Sequence, residues 1–258
     1  MFRRIFSIAA NTFRETIRNK ILYAILAFAL LVIGLTFFLA DLSVGDLARI
    51  IVDVGLASIH VFGVVMAVFL GITLISQEID RKTVYLILSK PVRRFEFILG
   101  KTLGLSFTLA LTTGAMAAVL FFLHLGYRHG GRAEAGIFLA AAGIYMELVL
   151  LTCLATLFST FTTSVLSAIF TLSLFVIGHV TNYLNVLGER STAPAMRIGA
   201  GILYYLLPNL EHFNWKNEVV YGGLAPLSTL GWAAAYLACY GGCVLCAACL
   251  LFTLKDFK

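Results

Sequence analysis

Charge is what this chain has least of. Only 12% of its 258 residues are Asp, Glu, Lys or Arg, about half the share that a water-facing surface carries. That excludes an ordinary soluble domain. The low hydrophobicity that disorder requires is missing too, since 60% of the residues are hydrophobic and the mean hydropathy is +0.96. Short segments alternating apolar with polar residues are absent, which excludes a transmembrane β-barrel. Cysteine is present but placed wrongly for a secreted disulfide framework: Cys153, Cys239, Cys243, Cys246 and Cys249 all lie in apolar runs. What remains is an integral membrane protein made of helices.

Six apolar runs are each about as long as the roughly 20 helical residues that cross a hydrocarbon core. They are Ile21–Ala40, Val54–Gln77, Thr102–Leu123, Ala135–Phe158, Thr160–Gly188 and Val219–Leu254, the last with its helix starting near Ser228, after Pro226. The expected fold class is all-α, a polytopic membrane protein with six transmembrane helices forming one domain over residues 1–258. The first run is longer than a signal-peptide core and follows a charged segment of 20 residues, so it reads as a span.

The net charge of +6 and the pI near 9.1 do not imply nucleic acid as a partner, because the basic residues sit in short blocks between the runs. With the N-terminus in the cytoplasm, 13 of the 19 Lys and Arg fall in residues 1–20, 78–101 and 255–258. Only Arg49, Arg128, Arg132, Arg190, Arg197 and Lys216 fall outside. Both ends are therefore expected on the cytoplasmic side of a cell membrane, most naturally the bacterial cytoplasmic membrane. Within residues 1–20, Phe2, Ile5, Phe6, Ala9, Phe13 and Ile17 share one helical face, and Arg4, Ser7, Asn11, Arg14 and Arg18 the other. That pattern suits an amphipathic helix in the headgroup layer of the lipid bilayer.

The segment between the second and third runs, residues 78–101, carries three acidic and six basic residues. Pro91 lacks a backbone donor and biases Lys90 away from helix. A short cytoplasmic helix over Arg81–Leu88 is thus expected to stop there, and another to start near Arg93 and enter the membrane. Gly100-Lys101-Thr102 resembles the end of a phosphate-binding loop, but Phe95 stands where that loop needs glycine and no strand precedes it. Any ATP must be hydrolysed by another subunit.

Glu147 is the one formal charge inside a run. A carboxylate there costs about 2.5 kcal/mol or more on insertion scales, so it should face other helices or water, with His179, Tyr145 or Ser173 as candidate partners. It reads either as part of a substrate path or as a hydrogen-bonded packing group. Cys239, Cys243, Cys246 and Cys249 lie along one side of the last helix, where small residues serve helix contact more often than metal binding. Of the five histidines only His60 and His179 lie within runs, and neither haem nor any metal ligand set is assigned. The external segment 189–227 is too long for a turn. Its apolar part, Met196–Leu207, reads either as a surface or re-entrant element closing the outer end of a pathway, or as a small cap.

Residues Glu78 to Lys101 resemble the central segment of type-2 ABC transporter permeases. The match is carried by Glu78, Thr83, Leu88, Ser89, Lys90, Pro91, Val92, Arg94, Gly100 and Lys101, while Asp80 and Arg93 depart from the usual Glu and Ser. Leu157–Thr160 through Gly178-His179, and Leu207–Glu211 with Phe213, are similar to segments of the NosY-like branch. The resemblance implies a six-span permease subunit of an ATP-driven exporter, paired with a second copy or a paralogue. It implies docking on separate ATPase subunits that bind the ATP and Mg, with no cofactor in this chain, and leaves room for an accessory periplasmic or membrane protein. Coupling would run through Glu78, Asp80, Arg81, Lys82, Tyr85, Lys90, Pro91 and Arg94, with Glu147 and His179 as pathway candidates. A membrane-embedded redox or metal-binding subunit and a membrane anchor for a cytoplasmic complex are the alternatives.

Overall fold

The computed structural model describes residues 2–41, 47–80, 93–127, 133–190, 194–220 and 227–254. The expected short helix at 81–88 lies outside them, and with it Arg81, Lys82, Tyr85, Lys90 and Pro91. Of Glu78 and Asp80 only the helical backbone is described.

Among the described residues every regular element is helical. In hydrocarbon each peptide group must be satisfied within its own segment, and a helix does this for an apolar run. Hydroxyl side chains follow the same rule. Thr102, Ser106, Thr152 and Thr156 each donate to a carbonyl one turn back, at 2.7–3.0 Å.

The first two helices are α1 (Phe2–Ile17) and α2 (Lys20–Asp41), which meet at a 63° bend. Asn19 caps α2, its side-chain oxygen accepting from the Ile21 amide at 3.0 Å. Then come α3 (Leu47–Asp80), α4 (Arg94–Tyr127), α5 (Ala133–Phe161) and α6 (Ser164–Arg190). A further helix, α7 (Pro194–Leu206), lies against α6. An extended stretch with a 3₁₀ turn at Leu210–Phe213 leads to the short α8 (Lys216–Val220). The chain ends in α9 (Leu227–Tyr236), a π-helical turn at Leu237–Gly241 and α10 (Gly242–Leu254).

Five helical stretches are long and apolar enough to cross a membrane, and the bent pair α1–α2 makes up to six. This agrees with the six runs in the sequence. The helices exceed the runs at several ends: α3 has 34 residues, about 50 Å, against a hydrocarbon core of roughly 30 Å. Of the apolar stretches, 72% of α3 and 67% of α5 are buried within the chain, against 22% of α6 and of the last span. α3 and α5 are therefore the centre, packed on each other and on α4.

α1 packs on the chain through one edge of the apolar face expected from its sequence. Its buried stripe is Ile5, Ala9, Thr12 and Thr16, while Phe2 and Phe6 are exposed. That stripe lies on α4, where Gly100 and Gly104 let the two backbones approach closely. A Cβ on Gly104 would sit 2.6 Å from the Ala9 carbonyl oxygen. Gly100, Lys101 and Thr102 thus lie inside a packed helix and form no phosphate loop. Arg94, assigned to coupling from sequence, donates through Nη1 to the carbonyls of Phe252 and Thr253, both at 3.0 Å. A guanidinium at a helix C-terminus satisfies carbonyls that have no partner in the helix, so the start of α4 is tied to the end of α10.

Candidate functional site

The stretch after α7 turns back toward the bundle as a plug. Leu210, Phe213, Trp215 and Val219 are all buried. Glycines on two spans make the socket. A Cβ on Gly143 of α5 would sit 2.5 Å from the Phe213 carbonyl oxygen and 3.0 Å from the Trp215 ring. One on Gly178 of α6 would sit 2.7 Å from Leu210 and 2.9 Å from the Pro208 carbonyl oxygen. The last span holds the other side: Tyr236 Oη accepts from the Asn209 amide, and Tyr240 Oη donates to the Leu206 carbonyl, both at 2.9 Å. The external segment therefore seats between helices. Leu207–Glu211 and Phe213, similar in sequence to a family loop, are part of this plug.

The plug carries Lys216 into a cluster that joins ionisable side chains from several spans. Glu147 on α5 is 1% exposed. Its Oε1 lies 3.0 Å from His60 Nε2 of α3 and 3.4 Å from His179 Nε2 of α6. Lys216 Nζ lies 2.7 Å from His60 Nδ1. An ammonium can only donate, so His60 Nδ1 accepts from it and His60 Nε2–H donates to the carboxylate. His179 Nδ1 donates to the Phe175 carbonyl at 3.0 Å. His179 Nε2 is buried without a hydrogen bond, since its approach to Oε1 is close but out of hydrogen-bond alignment. The rings of His60, Phe175 and His179 pack together, with centroids 4.7–5.6 Å apart.

This assembly answers the cost of burying Glu147. The lysine is linked to the carboxylate through a neutral imidazole, so the charges compensate. Burial pushes the Lys216 ammonium below the ordinary lysine range, while the carboxylates of Glu147, Glu211 and Asp53 act in the opposite sense. His60 and Glu147 lie within the apolar stretches of α3 and α5.

Sequence reasoning named Glu147 with His179, and the fold brings these two together. Ser173, the other polar candidate on α6, is exposed. His60 had been noted only as lying within a span. Lys216 was counted as an outside charge, and nothing local marks it as a partner. The four cysteines of the last span form no cluster with the site: Cys239, Cys243 and Cys246 are exposed and Cys249 is half-buried.

A helical membrane protein with compensated charges buried between its spans and a plug over them has the architecture of a membrane transport subunit. Residues 6–190 match the family model described as ABC-2 family transporter protein, which covers most of the chain. The chain belongs to that family. The matched stretch contains His60, Glu147 and His179 and ends before Lys216. No curated protein matches the sequence. Membership makes the chain a multi-pass membrane subunit of an ABC transporter, a class that works with an ATPase subunit and is generally not catalytic itself.

Proposed function

We propose that this chain is the permease subunit of an ATP-driven exporter of the NosY-like branch, one transmembrane domain over its whole length. It acts in the bacterial cytoplasmic membrane as a pair, with a second copy or a paralogue, and couples to separate ATPase subunits that bind ATP and Mg. The family match over 6–190 carries this reading. Two features add support. α3 continues past Gln77, where its apolar run ends, to Glu78 and Asp80. The basic segment that resembles a family coupling helix follows it directly. The plug over Glu147, His60 and His179 suits the closed outer end of a pathway in which Glu147 and His179 take part.

Docking is tested by reversing charge in that segment. Arg81→Glu with Lys82→Glu should weaken recovery of the ATPase subunit about tenfold or more, since charge-assisted contacts contribute on the order of 1.5–3 kcal/mol each. Recovery of a fully active complex by the double variant would reduce the segment to a turn. The apolar runs are untouched, so membrane insertion of the variant should equal that of the wild type.

A further inference from the structure

We propose that His60, Glu147 and His179 form a binding site for a divalent transition-metal cation of the zinc type, and that Lys216, bonded to the far ring nitrogen of His60, opposes its loading. Three donor atoms from α3, α5 and α6 lie within 4.8 Å of one another. A tetrahedral ion with bonds of about 2.0–2.2 Å holds its donors roughly 3.3–3.6 Å apart. The two spacings to Glu147 Oε1, 3.0 and 3.4 Å, are already near that. Two imidazoles and one carboxylate leave a fourth position open, for water or for a donor group on a passing ligand.

The hydrogen bonds around the donors point the same way. The bond from His179 Nδ1 to the Phe175 carbonyl fixes the tautomer whose Nε2 carries a lone pair. A backbone acceptor behind a ligating imidazole is the usual arrangement at metal sites. Nε2 and the carboxylate oxygen lie 3.4 Å apart without hydrogen-bond alignment, so the lone pair is aimed beside Oε1, as a shared ion would require. Two acceptors so placed repel unless positive charge lies between them, and a metal ion supplies it.

The surroundings also favour a cation. Lys216 is one positive group under the influence of three carboxylates, Asp53, Glu147 and Glu211. Asp53 stands two helical turns above His60 on α3, on nearly the same face. Beside the plug is a cavity of about 530 Å3, lined among others by Glu211, His212, Trp215 and Glu218. Its two carboxylates add negative charge beside the plug.

Lys216 and the metal exclude each other through His60. While Lys216 donates to Nδ1, the ring proton sits on Nε2 and the ligand atom is blocked. When Lys216 withdraws, the proton can move to Nδ1 through solvent, and the Nε2 lone pair turns to the ion. Metal loading and a fully seated lysine are therefore alternative states.

The experiment uses the purified full-length protein, stripped with a chelator and titrated with Zn(II), and with Co(II) as a spectroscopic reporter. One ion per chain is expected, with visible Co(II) bands of low coordination number. His60→Ala with His179→Ala should weaken binding by more than about a hundredfold, since even outer-shell partners at metal sites are worth 10–100-fold. Lys216→Met should tighten it about tenfold or more, by removing a nearby positive charge, an effect that misfolding cannot produce. Replacing all four cysteines of the last span by serine should leave the affinity unchanged. No binding by either wild type or Lys216→Met overturns the proposal, as does binding that survives the double histidine variant. The assignment stands on the geometry of the site rather than on the transport reading. Metal binding is read here and ATPase docking at residues 81 and 82, so either can fail alone.

Discussion

Gly143 sets how tightly the plug seats, and replacing it with valine should lift the plug. A Cβ there would lie 2.5 Å from the Phe213 carbonyl oxygen and 3.0 Å from Trp215 Cε3, about 1 Å inside ordinary contact. The nearer obstacle is backbone, so it cannot turn aside as a long side chain would. Overpacking of this kind costs about 1–3 kcal/mol. On a seated–lifted equilibrium that is roughly 5- to 150-fold. Trp215 reports the change, since it is 6% exposed when seated. The only other tryptophan, Trp232, is 77% exposed and is removed as Trp232→Phe. In that background Gly143→Val should shift Trp215 emission to the red and open it to a water-soluble quencher. Gly114→Val is the control, because a Cβ on Gly114 meets nothing within 4 Å. Unchanged emission and quenching in the Gly143 variant would refute the idea that this glycine governs seating.

Other expectations concern charge, topology and the inner end of the fold. Glu147→Gln should assemble normally yet change transport or transport-coupled ATP hydrolysis, and Glu147→Leu should do at least as much; normal transport by both would make Glu147 a packing group. A double-mutant cycle with Lys216→Met and Glu147→Gln, read by unfolding in detergent, should show coupling on the order of 1–3 kcal/mol, and additive effects would mean that the two groups do not sense each other. Single cysteines at Ser43, Gly130 and Asn217 should react with an impermeant reagent from outside the cell and one at Ser89 only from the cytoplasm, with the reverse pattern inverting the orientation. Gly104→Leu should raise hydrogen exchange along α1, because its Cβ falls 2.6 Å from the Ala9 carbonyl oxygen; protection equal to wild type would mean that α1 is held elsewhere.

The spans were legible because hydrocarbon leaves an apolar run one way to satisfy its backbone. The start of α4 was legible through Pro91 and the basic residues after it. The contact face of α1 was legible only in part: Ile5 and Ala9 lie on its apolar face, Thr12 and Thr16 at the edge of it. Amphipathic patterning weighs phenylalanine above alanine and threonine, whereas close approach to Gly100 and Gly104 selects small side chains. At the site, Glu147 announced itself as a charge among apolar residues, and His179 followed as a polar group within a span. Lys216 could not be read, since it lies 156 residues from His60 in the chain and only the folded plug joins them. The socket was hidden for a similar reason: glycine records that something comes close, but not what.

The order of manufacture adds a consequence. The glycine-bearing walls of the socket, α5 and α6, and α3 with His60 are synthesised by Arg190; Phe213, Trp215 and Lys216 come later, and the span that holds the plug's other side later still. A nascent chain halted in between would have an unfilled socket between α5 and α6 and a buried glutamate without its lysine. The plug therefore marks how far synthesis has gone, since only a chain translated through residue 216 can bring its lysine to the cluster around Glu147.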